Sequence, residues 1–249
     1  MTMSKLDISI CGLNAVKALF EVRPNAIHKL FFSENRSRAL SSVCKYIAKQ
    51  RKLYRLVPSD ELENIAGTEH HGGVVAVADA RPVLPVPDEK QYIEWSKARQ
   101  SLLLLDGIGN HHNLGAIVRT AAYFGFNKII LSGDSATPSA STYRTAEGGM
   151  EHVDVYQAQT LLSFCSDIRK HYLIVGTSLS GIPLSSYDIH KFVEKRPVAI
   201  VLGNEEKGIS WDVKRACHSL VTIPGTGKMQ SLNVSAACAV LMFHFAARQ

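Results

Sequence analysis

The sequence predicts an α/β protein in two parts, a small N-terminal α/β domain and a larger domain built on a mostly parallel sheet. Three observations carry that prediction. Strand-like and helix-like runs alternate along the chain. From Ser101 on, the strands become short and wholly apolar, as in Leu102-Leu103-Leu104-Leu105, which suits strands covered on both faces. Between the two rhythms lies Arg81 to Pro87, where Pro82, Pro85 and Pro87 block helix and central strand, so the tract reads as a linker. The limits expected from these shifts are 1–79, a linker over 80–98, and 99–249.

In the first part, Asn14 to Val22 reads as a helix and His28 to Ser33 as a strand. Leu40, Val43, Cys44 and Ile47 then fall at i, i+3, i+4 and i+7, one apolar helix face. Lys45, Lys49 and Lys52 share another face of that helix, a cationic stripe on the water side. Leu53 to Val57 and Val74 to Ala78 read as strands. In the second part the expected strands are Leu102–Leu105, 128–131, 172–176, 198–202 and 220–223. The expected helices are 114–124, 160–170, 209–217 and 233–246. Ligands in such sheets bind beyond the C-terminal ends of the strands.

A chain of 249 residues can bury one large core or two modest ones. The five cysteines are odd in number and include no C-x-x-C pair, which argues against a disulfide framework or zinc site and for a reducing cytoplasm. Lys5 and Asp7 precede any apolar run, unlike a signal peptide. The longest apolar stretch, Val234 to Ala247, is broken by His244 and falls short of the ~20 residues that span a bilayer, so no membrane role is expected. The formal net charge is +6, and residues 1–55 hold eleven Lys and Arg against Asp7, Glu21 and Glu34. A domain so charged attracts polyanions, RNA above all, although a basic solvated surface has the same composition.

Three glycine-containing loops follow strands of the second part. They are Asn113-Leu114-Gly115-Ala116-Ile117-Val118-Arg119, Leu202-Gly203-Asn204-Glu205-Glu206-Lys207-Gly208, and the run from Ile223-Pro224-Gly225 to Ser231-Leu232-Asn233-Val234-Ser235. Each exposes main-chain groups at one point, which suits a small polar ligand. Taken singly, each has a plain structural reading: Asn113 as a helix cap, the second loop as a turn, Ser231 and Asn233 as caps of the last helix. Other motifs fail. Gly107-Ile108-Gly109-Asn110-His111-His112 lacks the last glycine of a dinucleotide fingerprint. Gly227-Lys228 has Thr222 where a phosphate loop needs glycine. His70-His71 and His111-His112 are adjacent rather than at ligand spacing, so no metal is expected.

Together and in this order, the three loops resemble the motif set of the SpoU (TrmH-type) RNA ribose 2′-O-methyltransferases of the SPOUT superfamily. The resemblance covers about 101–247. It implies a C-terminal SPOUT-type parallel-sheet domain with a deep trefoil knot, S-adenosyl-L-methionine as cofactor and a homodimer with its sites at the interface. Residues 12–19 and 71–76 resemble, less specifically, the ribosomal-protein-like α/β RNA-binding domain of many bacterial members. By the same resemblance Arg119 is catalytic, Asn113, Glu205, Ser231 and Asn233 surround the reacting groups, and Thr177, Leu202, Gly203, Gly208, Ile223, Leu232 and Ser235 border the cofactor. A guanidinium keeps its proton below about pH 12, so Arg119 suits an electrostatic and orienting role better than that of a base. The chain departs from the family pattern at Asn110-His111-His112, Glu206 and Gly225. The expected activity is 2′-O-methylation of a ribose in structured RNA, rRNA before tRNA and guanosine before other nucleosides. A catalytically inert RNA-binding relative is the competing reading, and methylation of a base a more distant one.

Overall fold

In the computed structural model, residues 7–187 and 196–246 are described. The chain forms two compact units, one of residues 1–82 with 138–152, the other of residues 83–137 with 153–249.

The first unit carries β1 (Asp7–Cys11), α1 (Leu13–Val22), β2 (Ile27–Phe32), α2 (Ser41–Lys49), β3 (Leu53–Leu56), α3 (Ser59–Ala66) and β4 (Val74–Asp79). Its mixed sheet has the order β1-β4-β2-β3, with only the β2–β3 pair parallel. Val43 and Ile47 of α2 are buried as their spacing requires, and Lys45 and Lys49 face water. Lys52 does not continue that stripe. α2 ends at Lys49, and the Lys52 ammonium donates to the main-chain oxygens of Asn25 at 2.9 Å and Ile27 at 2.5 Å. Three residues past the last helical turn, the chain has left the helical screw, so the expected shared face does not exist.

A later stretch of sequence completes this unit. Helix α6 (Ala140–Ala146) and the 3₁₀ turn Gly149–His152 belong to it. Gly148 has φ +97°, and a Cβ there would stand 2.7 Å from Ala18 Cβ, so only glycine lets this segment approach α1. Arg23 grips Glu151 with two bonds, Nε to Oε2 at 2.6 Å and Nη2 to Oε1 at 2.9 Å, while the Glu151 side chain is 2% exposed. Arg81 donates through its N–H to the Tyr143 hydroxyl at 2.7 Å and through Nη1 to the Glu151 carbonyl at 2.9 Å.

The second unit holds a seven-stranded, wholly parallel sheet of order β11-β9-β10-β6-β7-β8-β5. In chain order its elements are β5 (Leu84–Pro85), α4 (Glu89–Lys97), β6 (Leu102–Asp106), α5 (His111–Phe124), β7 (Lys128–Leu131), β8 (Asp154–Gln157), α7 (Leu161–Ile168), β9 (Leu173–Pro183), β10 (Val198–Gly203), α8 (Trp211–Ala216), β11 (Ser219–Thr222) and α9 (Val234–Ala246). Every residue of β6 and β10 is buried, as central strands covered on both faces must be.

The tract expected to be a linker contributes an edge strand and a helix. Pro85 is tolerated in β5 because β5 pairs on one side only. Tyr92 and Trp95 of α4 enter the core with Leu102, Ile130, Tyr156 and Phe164. β9 runs eleven residues, well past the expected end at 176. Its pairing with β11 jumps from Gly176↔Leu220 to Ile182↔Val221, so residues 177–181 bow out between the two registers. Serines and glycines dominate that stretch and gave no apolar signal for a strand. Among the described residues, no helix is long and apolar enough to cross a membrane.

His218 closes the entry to β9. Its N–H donates to the Ile174 carbonyl at 2.8 Å, and its Nδ1 accepts from the Ile174 N–H at 3.1 Å. Burial, with help from the Arg169 and Arg196 guanidinium groups, pushes its imidazole down to about 4.

Arg23→Ala leaves a buried carboxylate without its cation and should cost about 3–5 kcal/mol in chemical denaturation. An unchanged midpoint would show that the ion pair holds nothing. The unfolded chain, with His218 near 6.5, binds more protons than the folded one between about pH 4 and 6.5. Stability should therefore be complete above pH 6.5 and decline towards pH 4, and His218→Gln should flatten that part of the decline.

Candidate active site

Because all seven strands of the second unit are parallel, their C-terminal ends lie along one edge of the sheet, and the connecting loops crowd there. Buried polar groups at that edge fix the loops. The Gly107 N–H donates to Ser132 Oγ at 2.8 Å, and Ser132 Oγ donates to Asp134 Oδ1 at 2.5 Å. Asp106, at the end of β6, accepts through Oδ2 from the Ser210 N–H at 2.7 Å.

Asn204 ties the loop after β10 to the loop after β6. Its Nδ2 donates to the Gly107 carbonyl at 2.8 Å, and its Oδ1 accepts from the N–H groups of Glu206 at 3.0 Å and Lys207 at 3.1 Å. Its main chain exchanges two hydrogen bonds with Gly208, at 3.1 and 2.9 Å, closing a tight turn. Gly203 packs beneath it: a Cβ there would fall 2.1 Å from the Gly208 carbonyl carbon and the Ile209 nitrogen. The turn presents Glu205 outward.

Glu205 meets the helix that follows β6. Asn113 Nδ2 donates to Glu205 Oε1 at 2.7 Å, and Asn113 Oδ1 accepts from Asn233 Nδ2 at 3.1 Å. Asn233 Oδ1 in turn accepts from the Ser235 N–H at 2.8 Å and Ser235 Oγ at 2.6 Å. Three loops distant in sequence are thus joined through one amide side chain. Asn113 is not the helix cap. Asn110 takes that place, accepting from the N–H groups of His112 and Asn113, so α5 starts earlier than the apolar pattern suggests. Asn233 both starts α9 through Ser235 and reaches across to Asn113.

The remaining expected residues are placed as follows. Ser231 and Leu232 lie exposed in the loop before α9, and Ile223 is half-buried where that loop leaves β11. Leu202 points into the core at the end of β10, so only its main chain faces the loops. Thr177 lies inside β9 rather than beyond it, its hydroxyl donating to the Val201 carbonyl at 3.4 Å. Arg119 stands exposed on α5, about 9 Å further along the helix axis than Asn113 at 1.5 Å per residue. It shares a helix face with Tyr123, four residues on.

Sequence reading missed Asn204, although an asparagine directly after a strand-ending glycine is a known turn signal. It missed Asn110 for the same reason that it credited Asn113: four polar residues precede the apolar run. In the first unit, His28 Nε2 lies 2.9 Å from Asp79 Oδ1 and 3.6 Å from Asp7 Oδ1, three side chains far apart in sequence. His71 serves its own turn, with Nδ1 accepting from the Gly73 N–H.

Residues 100–243 match the SpoU rRNA Methylase family, and residues 9–83 match the domain described as RNA 2′-O ribose methyltransferase substrate binding. The chain is 34% identical over 239 residues to an uncharacterized tRNA/rRNA methyltransferase, YfiF, of Escherichia coli O157:H7, covering 95% of this chain and 67% of that one. It is 33% identical over 238 residues to the 23S rRNA (guanosine-2′-O-)-methyltransferase RlmB of Acinetobacter baylyi, covering 93% and 94% of the two chains. Its fold is similar to that of an AdoMet-bound rRNA methyltransferase from Sinorhizobium meliloti, with TM-score 0.75 and 24% identity over 97% of this chain and 87% of that one. The segment matched by the methylase family contains all three loops that Asn113 joins, and the chain belongs to the SpoU family of RNA 2′-O-ribose methyltransferases.

Proposed function

We propose that this protein transfers a methyl group from S-adenosyl-L-methionine to a ribose 2′-hydroxyl in structured rRNA, at a guanosine. The observation that carries the reading is the hydrogen-bonded junction of Glu205, Asn113 and Asn233, set beside a loop whose main chain is unspent. Among the described residues, positions 224–232 make no main-chain hydrogen bond to other main chain. Leu232 is 53% exposed, and a Cβ added at Gly225 or Gly227 would meet nothing within 4 Å. Free donors and acceptors, an uncovered leucine and open space fit an adenosine group, whose edge needs hydrogen bonds and whose face needs apolar cover. The choice of rRNA and guanosine is supported by the RlmB relatives and by the separate substrate-binding domain.

When bound, the cofactor supplies an electrophilic methyl group on a sulfonium. The protein's part is to position and to polarise. Glu205 and Asn233 hold the Asn113 amide from two sides, so its orientation is fixed before substrate arrives. The Arg119 guanidinium lowers the pKa of the ribose hydroxyl, while the proton leaves to a phosphate oxygen of the RNA.

An exposed apolar face on α5 and α9 supports a homodimer. Tyr123, 83% exposed on the Arg119 face, and Val240 and Phe243 of α9 form an apolar surface on two helices packed together. A second copy covering that surface would bring Arg119 into the seam. Lys45 and Lys49, both exposed on α2, are the proposed RNA-facing cations of the first unit. The five cysteines are free, four of them buried, which supports a reducing, cytoplasmic setting.

The test is transfer of labelled methyl from S-adenosyl-L-methionine to total RNA from cells lacking this gene, followed by separation of rRNA and tRNA and alkaline digestion. Label in alkali-resistant dinucleotides of rRNA is the expected result. Arg119→Ala should lower transfer by at least about 100-fold while RNA binding persists, and unchanged transfer would remove Arg119 from the mechanism. RNA binding without any transfer would favour the inert relative. Gly203→Ala should destabilise the protein by about 2 kcal/mol or more and abolish transfer, whereas Gly225→Ala should stay within about 0.5 kcal/mol of the parent. Equal effects of the two substitutions in thermal melts would contradict the close packing at Gly203.

A further inference from the structure

The chain has two tryptophans, in opposite surroundings. Trp95 is packed in the core at 8% exposure, whereas Trp211 is 66% exposed. Trp211 opens α8, three residues beyond Gly208. At most about 11 Å of extended chain therefore separates it from the turn that holds Glu205 against Asn113. Both ends of that short path are pinned, the turn by the Asn204–Gly208 bonds and the start of α8 by the Ser210 bond to buried Asp106. The indole is not a loose surface group.

One turn along α8, Arg215 lays its guanidinium over the indole, 4.6 Å from the ring centroid. That contact covers one face of the ring and steadies it, and the other face is left to solvent. The charges next to it in sequence balance, with Glu205, Glu206 and Asp212 against Lys207, Lys214 and Arg215. A phosphate backbone gains little from such a neighbourhood, but a flat aromatic ligand gains from the open indole face.

We propose that Trp211, backed by Arg215, is a stacking platform for an unpaired nucleobase of the RNA, beside the nucleotide that is methylated. The proposal rests on the RNA methyltransferase reading and adds a contact to it. Stacking on an aromatic side chain tolerates any base but requires that the base be free of its helix. The platform therefore selects unpaired over paired nucleotides next to the target.

Trp95→Phe leaves Trp211 as the only tryptophan and makes its fluorescence a direct probe. Without RNA, its emission should be that of a solvated indole, readily quenched by acrylamide. Adding rRNA purified from bacterial ribosomes should quench the emission and shield the ring, with binding followed separately by filter retention of the RNA. In the otherwise unaltered protein, Trp211→Ala should weaken rRNA retention by about 5- to 100-fold. Trp211→Phe should recover most of it, the salt dependence should keep its slope because no phosphate contact is lost, and S-adenosyl-L-methionine binding should not change. RNA retained with Trp211 emission and affinity untouched would overturn the platform and leave the enzyme reading standing. An indole already shielded before RNA is added would mean that a second copy of the chain covers it, which also overturns the proposal. Failure of the unaltered protein to retain RNA at all would remove the reading beneath it.

Discussion

The side-chain amide of Asn113 donates to Glu205 and accepts from Asn233, and the meeting of three loops at the sheet edge depends on that one group. Neither a carboxylate nor a hydroxyl could replace it. A carboxylate at 113 would repel Glu205, and a hydroxyl is too short to reach two loops. The bonds at 2.7 and 3.1 Å also fix which end of the amide faces which partner, because Glu205 can only accept when ionised. Asn204 repeats the device one residue before Glu205, again using both ends of an amide to hold two loops. The edge of the sheet is therefore built by asparagines bridging segments that the parallel topology brings side by side.

This explains which features were legible in the sequence. Apolar runs such as 102–105 and 198–202 exposed the central strands, because burial on both faces leaves no alternative composition. Helix α2 was legible through its 3.6-residue period. Residues 84–97 were not, because proline content masks an edge strand that needs only one row of hydrogen bonds. The outer half of β9 was hidden for another reason: half-buried to exposed from Thr177 on, it carries no apolar run, and its close approach to main chain is made by a glycine, Gly181, where a Cβ would sit 2.5 Å from the Val221 carbonyl carbon. Composition carries no trace of such contacts.

The site was legible as a set of loops but not as a geometry. The family resemblance named Asn113, Glu205 and Asn233 without revealing that they touch one another. Arg119, named by the same resemblance, lies about two turns along α5 from Asn113, as the spacing of the motif requires, on a face shared with Tyr123. Lys52 shows the same limit at smaller scale, since a three-residue difference in where α2 ends turns an expected surface cation into a group satisfied by main-chain carbonyls. Sequence patterns report what a residue can do, and the ends of secondary elements decide what it meets.

The first unit is not a continuous stretch of chain. Its β-sheet is finished by residue 79, but α6, Tyr143 and Glu151 arrive only after the polypeptide has laid down three strands of the other sheet. At roughly 5–20 residues per second, a ribosome needs several seconds to pass from position 82 to 152. During that interval Arg23 and Arg81 have no Glu151 or Tyr143 to bind. The nascent N-terminal unit must wait, incomplete, for a segment embedded in its neighbour's sequence. A gene fragment cut at the apparent end of the RNA-binding domain would encode that waiting form and not the finished one.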